Sequence, residues 1–286
     1  MAHRLWCPAV GITILLGVLC AVCWGLPDVN LAKAARSVGP LAVVVGALVL
    51  GTGAVLPGLL FVDLPDWSWR GAGIALVAGA AMSIGYWLGY TGFVYGNVSL
   101  VAPIVACEGG VAAALSLAAG DDVPTAILLF LPVAVFGVVL AAMGSGGDGR
   151  AGAAYAGGAA LLWGLVLVLS APVADEFGVL FGFVLIRVCA LLVVLPFALR
   201  ARVATAWTGD FWNVLAWALG DAVAYLLYVA AADRGPVAVA SVLAAQFATV
   251  GVVAGVVLLG ERLRRRQWVG IALVIFAVSA MALLGA

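Results

Sequence analysis

Three ionisable residues lie inside long apolar stretches of the sequence, each near the middle of its stretch: Glu108, Arg187 and Asp221. If such a stretch crosses a bilayer, an ionised group at its centre costs at least roughly 2.5–3.5 kcal/mol on insertion scales, so the group must face protein or water. Gln246 adds an amide at the same depth of a further stretch. These four residues therefore predict a polar site at the level of the membrane midplane.

Glu108 has two interpretations. It could form an ion pair with Arg187 that only locks two helices together, or it could have a functional role. The sequence Cys107-Glu108-Gly109-Gly110 favours the functional role, because two glycines weaken a helix and an interrupted helix exposes backbone groups to a ligand. A carboxylate at that depth could also carry a proton, as acidic residues do in membrane pumps and transporters.

Aromatic residues accompany these polar groups. Around Asp221 they recur at helical spacing, which predicts one helix face with an amide, a carboxylate and three rings; the face consists of Asn213, Trp217, Asp221, Tyr225 and Tyr228. The stretch near 71–93 carries Ser83, Tyr86 and Tyr90. Rings beside carboxylates suit an amine or a flat organic cation through cation–π attraction.

Tryptophan and tyrosine are also common anchors at membrane interfaces. That interpretation suits Tyr95 and Trp268, which lie at the ends of apolar stretches, but it does not suit Tyr225 or Trp163. The candidate site therefore includes Trp163. It also includes Trp24, because each of these two tryptophans begins a Trp-Gly-Leu tripeptide.

Arg187 could hold a carboxylate or phosphate of a substrate through a bidentate contact. Together with Glu108 and Asp221 it gives the site a formal charge of −1. A zwitterion such as an amino acid would satisfy both signs of charge, so the sequence leaves amines and zwitterions open as ligands.

The composition indicates that the bilayer is the solvent for most of this chain. Of 286 residues, 66% are hydrophobic and 9% are charged, whereas a compact soluble domain needs a polar surface. Thirteen basic residues balance thirteen acidic ones, so there is no basic excess to suggest a nucleic-acid partner. His3 is the only histidine, and no metal-ligand or nucleophile spacing appears, so we expect neither an enzyme nor a bound metal or cofactor.

Ten apolar runs are long enough to cross about 30 Å of hydrocarbon as helices. They lie near 10–30, 38–60, 71–93, 98–120, 124–143, 152–172, 178–199, 211–232, 236–259 and 267–285. Their continuous apolar character favours helices over a barrel, whose strands are about ten residues long and alternate in polarity. The predicted fold is an all-α polytopic membrane protein.

One offset relates the two halves of the sequence. Trp24-Gly25-Leu26 returns as Trp163-Gly164-Leu165, and 163 minus 24 is 139. The same offset relates Leu56-Pro57 to Leu195-Pro196 and Tyr86 to Tyr225. A register that persists through Trp, Pro and Tyr pairs predicts a duplication into residues 1–143 and 144–286. Each half would hold five helices, an odd number, so the predicted repeat is inverted, as in proteins that work by alternating access.

Residues 220–285 resemble a known family. Tyr225, Leu227-Tyr228, Gly235 through Ser241, the run Leu258 through Leu263 and Gln267-Trp268-Val269-Gly270 are similar to the second half of EamA-like members of the drug/metabolite transporter superfamily. In the first half, Gly120-Asp121-Asp122 stands where Leu-Gly-Glu would be expected. The resemblance implies ten helices in two halves and a transporter of amino acids, other metabolites, drugs or nucleotide sugars.

These observations predict a secondary transporter in the cell membrane that moves a small organic solute, an amino acid, an amine or a related metabolite, by alternating access. Glu108 and Asp221 are the candidates for proton coupling. The alternative is an intramembrane protein that handles or flips a lipid-linked sugar or a nucleotide-type substrate. The fifth and tenth stretches contain no charge, so we expect them to pack or to form a homodimer interface.

The orientation has conflicting indications. With ten spans, the side of the termini carries three basic residues, Arg4, Arg70 and Arg234. The other side carries nine, Lys33, Arg36, Arg150, Arg200, Arg202, Arg262, Arg264, Arg265 and Arg266. The positive-inside rule therefore predicts extracytoplasmic termini, whereas the family resemblance implies cytoplasmic termini.

Overall fold

The computed structural model describes residues 8–119, 125–143, 147–234, 243–244 and 246–284. Within these residues the secondary structure is helical and contains no strand, so the all-α prediction is confirmed. Some predicted features lie outside the described residues: Gly120-Asp121-Asp122, the Gly235 through Ser241 part of the family resemblance, and the beginning of the stretch near 236–259.

Most of the described residues lie in α-helices. In chain order they are α1 (Pro8–Gly25), α2 (Asp28–Val38), α3 (Pro40–Val55), α4 (Trp69–Tyr95), α5 (Val98–Val105), α6 (Glu108–Ala119), α7 (Thr125–Met143), α8 (Gly147–Phe177), α9 (Val179–Arg200), α10 (Phe211–Arg234), α11 (Phe247–Leu258) and α12 (Arg265–Leu284). A 3₁₀ turn at Leu56–Phe61 follows α3, and another at Ala206–Asp210 precedes α10.

In the described part of the chain, six helical segments are long and apolar enough to cross a membrane. They are Leu15–Val38, Pro40–Phe61, Trp69–Tyr95, Gly149–Phe177, Val179–Arg200 and Ala206–Tyr228. Shorter apolar helices cover Val98–Ala112, Pro132–Ala141 and Phe247–Leu258. The chain is therefore a membrane protein with several spans.

Two of the predicted stretches are interrupted near their polar residues. Pro27 separates α1 from α2, since a proline inside a helix removes a hydrogen-bond donor and clashes with the preceding turn. Pro103 precedes the break between α5 and α6, where the Cys107 amide bonds the Ile104 carbonyl at 3.2 Å in a tighter turn. An interruption at the Cys107-Glu108-Gly109-Gly110 sequence was predicted and is confirmed.

The core forms where long helices approach closely. α4 packs against α8 and α9, α10 packs against α1 and α3, and α7 packs against α12. Gly79 of α4 lies directly on α9, because a Cβ added there would come within 2.6 Å of the Ala190 amide and 2.8 Å of the Ile186 carbonyl. Small residues allow such approaches between membrane helices.

Gly79→Ala is expected to destabilise the protein by about 1–3 kcal/mol, because overpacking a tight contact forces the backbones apart. Gly73→Ala on the same helix is the matched control, since a Cβ at Gly73 would meet nothing within 4 Å. Thermal unfolding of both variants in detergent measures the difference. Equal melting temperatures for the two variants would contradict this packing.

Candidate functional site

A cavity of about 520 Å³ lies between helices of the two halves of the sequence. All but one of the predicted site residues line it: Trp24, Tyr86, Tyr90, Glu108, Trp163, Arg187, Trp217, Asp221, Tyr225 and Tyr228. Its volume falls within the range of about 300–1,000 Å³ that is usual for small-molecule sites. Residues far apart in sequence are thus brought to one cavity.

Gln246 is the predicted site residue that is not among those lining the cavity. It directly precedes α11, and its Nε2 donates to Ser279 Oγ of α12 at 2.7 Å. Thr249 Oγ1 donates to Gln246 Oε1 at 3.0 Å. In this structure the amide connects α11 to α12.

Arg187 is almost completely buried, with 1% of its surface exposed, and its guanidinium is engaged by protein groups. Nη1 donates to Asp221 Oδ2 at 2.6 Å, Nη2 to the Ala47 carbonyl at 3.1 Å, and Nε to Thr52 Oγ1 at 3.3 Å. Its partner in the ion pair is therefore Asp221 of α10, and not Glu108, which was the alternative considered from the sequence. The pair links α3, α9 and α10.

Asp221, in the second half of the sequence, also bonds a residue of the first half. Its Oδ1 accepts a hydrogen bond of 3.1 Å from Trp24 Nε1 at the end of α1. Each oxygen of this carboxylate is thus bound by a donor from a different helix. Asp221 therefore joins α1 to α9 as well as lining the cavity.

Asp28 lines the cavity and was missed by the sequence analysis. It is the first residue of α2, is 8% exposed, and its carboxyl group lies near the Trp217 side chain. Trp24 and Asp28 are four residues apart, as are Trp217 and Asp221; Trp24 bonds Asp221, and Trp217 lies near Asp28. Proline before an aspartate inside an apolar stretch was the signal for this residue, because it indicates a helix that restarts with an acidic group.

Glu108 is the first residue of α6, at the interruption described above. An anionic group is favoured at a helix N-terminus because the unpaired amide groups carry partial positive charge. Within the described part of the chain its carboxylate has no salt-bridge partner and no side-chain hydrogen bond. Glu108 therefore lines the cavity without an ion pair to any described basic side chain.

The aromatic residues form two groups on the cavity wall. In the first, the Tyr86 ring lies 5.2 Å from Tyr90, 4.8 Å from Trp163 and 5.5 Å from Trp217, and Tyr90 lies 5.3 Å from Trp217. In the second, Trp24 lies 6.5 Å from Tyr228 and 6.3 Å from Phe247.

Tyr225, a further predicted aromatic residue of the site, stacks on Phe183 at 3.9 Å. The two aromatic groups, one around Tyr86 and the other around Trp24, and this stacked pair give the cavity flat apolar walls beside its carboxylates.

The charges on the cavity wall do not balance. Asp28, Glu108 and Asp221 stand against Arg187, which gives a formal charge of −2 when all four are ionised. Burial of an unbalanced charge is costly unless a counter-charge or protons accompany it. No cluster of three or more potential metal-ligating His, Cys, Asp or Glu side chains is found among the described residues.

Comparisons with known proteins agree with this architecture. One solved crystal structure superposes on 96% of this chain and on 98% of its own with a TM-score of 0.62, at 15% identity, which establishes similarity of fold. No curated protein matches the sequence. Residues 150–283 match the model of the EamA-like transporter family. The second half of the sequence is therefore similar to the EamA-like transporter family, and the resemblance predicted from the sequence is confirmed over residues 150–283.

Proposed function

We propose that this protein is a secondary transporter that moves a small organic solute across the cell membrane by alternating access. The observation that carries the proposal is the cavity: carboxylates, an arginine and aromatic rings from both halves of the sequence line one space. Secondary transporters built from repeats hold their substrate in such a position, near the midplane and beside interrupted helices. The family match over residues 150–283 supports the same function.

The proposal includes ten transmembrane helices in two inverted halves, residues 1–143 and 144–286. Helix limits support it, because several recur at the 139-residue offset. The pairs are the starts of α3 and α9 (Pro40, Val179), the ends of α4 and α10 (Tyr95, Arg234), the starts of α6 and α11 (Glu108, Phe247) and their ends (Ala119, Leu258). Gly39 and Gly178, also 139 apart, both have positive φ, at 88° and 76°.

Helix packing also supports the duplication. α4 packs against α8 and α9, and its counterpart α10 packs against α1 and α3, which are the counterparts of α8 and α9. Exchanging the two halves therefore converts the contacts of α4 into the contacts of α10. This is the relation expected of a pseudo-twofold axis between two copies of one unit.

The charged cavity residues do not follow the repeat. Each has an apolar counterpart at the 139-residue offset: Phe247 for Glu108, Leu167 for Asp28, Leu48 for Arg187 and Met82 for Asp221. The proposed scaffold is duplicated, whereas the chemistry of the cavity is particular to each half.

Glu108 is the residue that we propose for proton coupling. Asp221 is held by Arg187 and Trp24, whereas Glu108 has no salt-bridge partner in the described part of the chain. The charged groups that share the cavity with it are Asp28, Asp221 and Arg187. A carboxylate that is free of a fixed cation can exchange a proton as the cavity opens to either side.

The fifth and tenth helices of this proposal are α7 and α12, which pack on each other. Their outer surfaces carry exposed apolar side chains such as Phe136 and Phe276. These surfaces suit lipid or a second copy of the chain, so a homodimer through α7 and α12 remains part of the proposal.

Reconstitution into liposomes tests the function. A panel of amino acids, amines, nucleotides and lipid-linked sugars is first screened for thermal stabilisation, because a ligand of the folded state raises its melting temperature. A stabilising small solute should then show saturable counterflow. Stabilisation by lipid-linked sugars alone, without counterflow of any small solute, would instead favour a protein that handles lipid-linked substrates.

Glu108→Gln is expected to reduce uptake driven by a pH gradient at least about tenfold while counterflow persists, because the amide cannot carry the proton. Asp66→Asn is the control, since Asp66 is exposed outside the helices. Unchanged pH-driven uptake in Glu108→Gln liposomes would rule out coupling through this residue.

A further inference from the structure

The hydroxyl of Tyr90 has no hydrogen-bond partner among the described residues, although the residue is only 3% exposed. A buried polar group without a partner costs about 1–3 kcal/mol, so native structures rarely keep one without a reason. Tyr90 lines the cavity. A ligand in the cavity is therefore the natural partner for this oxygen.

Asp28 lines the same cavity and lies near Trp217, whose ring centroid is 5.3 Å from that of Tyr90. The helix that begins with Asp28, α2, packs against both α4 and α10. A carboxylate can accept about four hydrogen bonds, and no salt bridge to Asp28 is formed by any described basic residue. Asp28, Tyr90, Tyr86 and Trp217 together are called the Asp28 subsite below.

The charge of Arg187 is already matched within the protein. Three of its five N–H groups donate to Asp221, Ala47 and Thr52, and the Asp221 carboxylate lies 2.6 Å away as its counter-charge. The remaining carboxylates of the cavity, Asp28 and Glu108, give it the excess negative charge. An anionic ligand would add to this excess, and the carboxylate of a zwitterion would find no free cation on the described part of the wall.

We propose, on the basis of the proposed transport function, that the cavity selects a monovalent organic amine whose N–H groups donate to Asp28 and to the Tyr90 hydroxyl oxygen. The rings of Tyr86 and Trp217 border the ammonium group, where cation–π attraction adds to the charge of Asp28. The apolar part of the amine extends along the walls towards Trp163 or Trp24. This narrows the ligand choice left open by the sequence, because a zwitterion is disfavoured.

Four probes of one size test the proposal: phenethylamine, phenylalanine, 3-phenylpropionate and 2-phenylethanol. They share a ring and a short chain and differ in charge, being a cation, a zwitterion, an anion and a neutral alcohol. Binding to the full chain in detergent is measured by calorimetry. We expect phenethylamine to bind at least about tenfold more tightly than each of the other three probes.

Tyr90→Phe separates recognition from structure. The substitution removes only the hydroxyl, so the melting temperature should stay the same or rise, because an unpaired buried oxygen is lost. Phenethylamine affinity should nevertheless fall about tenfold. Tyr95→Phe, at an exposed tyrosine that does not line the cavity, is the control and should leave affinity unchanged. Asp28→Asn should weaken binding about a hundredfold, and its melting curve shows whether it folds.

The possible outcomes separate this inference from the proposed function. Equal or tighter binding of phenylalanine or 3-phenylpropionate would overturn the amine preference but leave transport intact. Unchanged affinity in Tyr90→Phe would overturn the role of the hydroxyl even if Asp28→Asn failed to fold. Failure of all four probes to bind would overturn the inference, whereas the proposed function is decided separately by counterflow.

Discussion

Arg187→Leu is expected to destabilise the folded protein by about 3–5 kcal/mol, the usual cost of removing one partner of a buried ion pair. The variant leaves Asp221 without its cation and frees the Ala47 carbonyl and the Thr52 hydroxyl from their shared donor. We expect a large fall in melting temperature in detergent and loss of the monodisperse peak in size-exclusion chromatography.

The control replaces the whole pair. Arg187→Leu with Asp221→Met introduces the residues that stand at the counterpart positions of the first half, Leu48 and Met82. Because a buried ion pair exchanged for apolar residues is often neutral for stability, the double variant should regain much of what the single variant loses. A single variant as stable as the parent protein, or a double variant no better than the single one, would show that the pair is not the connection between α3, α9 and α10.

Glu261→Ala is expected to destabilise the protein by about 2–3 kcal/mol, because hydrogen bonds to a charged group contribute about 1.5–3 kcal/mol. The Glu261 carboxylate accepts from the Val98 amide at 2.8 Å, the Ser99 amide at 2.9 Å and Ser99 Oγ at 2.6 Å. These amides are at the start of α5, where no helix carbonyl can serve them. Thermal unfolding in detergent measures the loss.

Arg262→Ala is the matched control, since the neighbouring side chain is exposed and should change stability by less than about 0.5 kcal/mol. Glu261→Gln should lie between the two, because an amide oxygen can still accept from the helix start but carries no charge. If Glu261→Ala unfolds at the same temperature as Arg262→Ala, the carboxylate does not stabilise α5.

That the charged residues share one site could be predicted from the sequence, but their partners could not. Glu108, Arg187 and Asp221 stand out because an ionised group in an apolar stretch must face protein or water. Depth alone does not give the rotation of each helix, however. Arg187 could reach Glu108 or Asp221 by that criterion. The packing of α3 against both α9 and α10 brings Arg187 to Asp221.

Asp28 and Gln246 show the same limit: the first lines the cavity but was not predicted, and the second was predicted but is not among the residues that line it. Asp28 lies near the end of the predicted span 10–30 and was not identified as a site residue, because its place at the start of a new helix depends on the break at Pro27. Gln246 was predicted to lie at the depth of the site, but its amide bonds Ser279 of α12. A polar side chain between helices can be satisfied by a neighbouring helix as well as by a cavity.

Glu261 belonged to the sequence resemblance as part of Leu-Gly-Glu, which gave it no physical role. The structure shows that the second half of the chain uses it to hold the start of α5 in the first half. Val98 and Glu261 are 163 residues apart in the sequence. No local pattern contains that information.

The uneven distribution of charge between the two proposed halves has a consequence for the resting protein. An inverted repeat converts one open form into the other by exchanging the conformations of its halves. At the 139-residue offset, an apolar residue corresponds to each of the four charged residues Glu108, Asp28, Arg187 and Asp221. That exchange therefore does not reproduce the same electrostatic surroundings. In the proposed transporter the two open forms would therefore differ in free energy, because the solvation of these four side chains would differ between them.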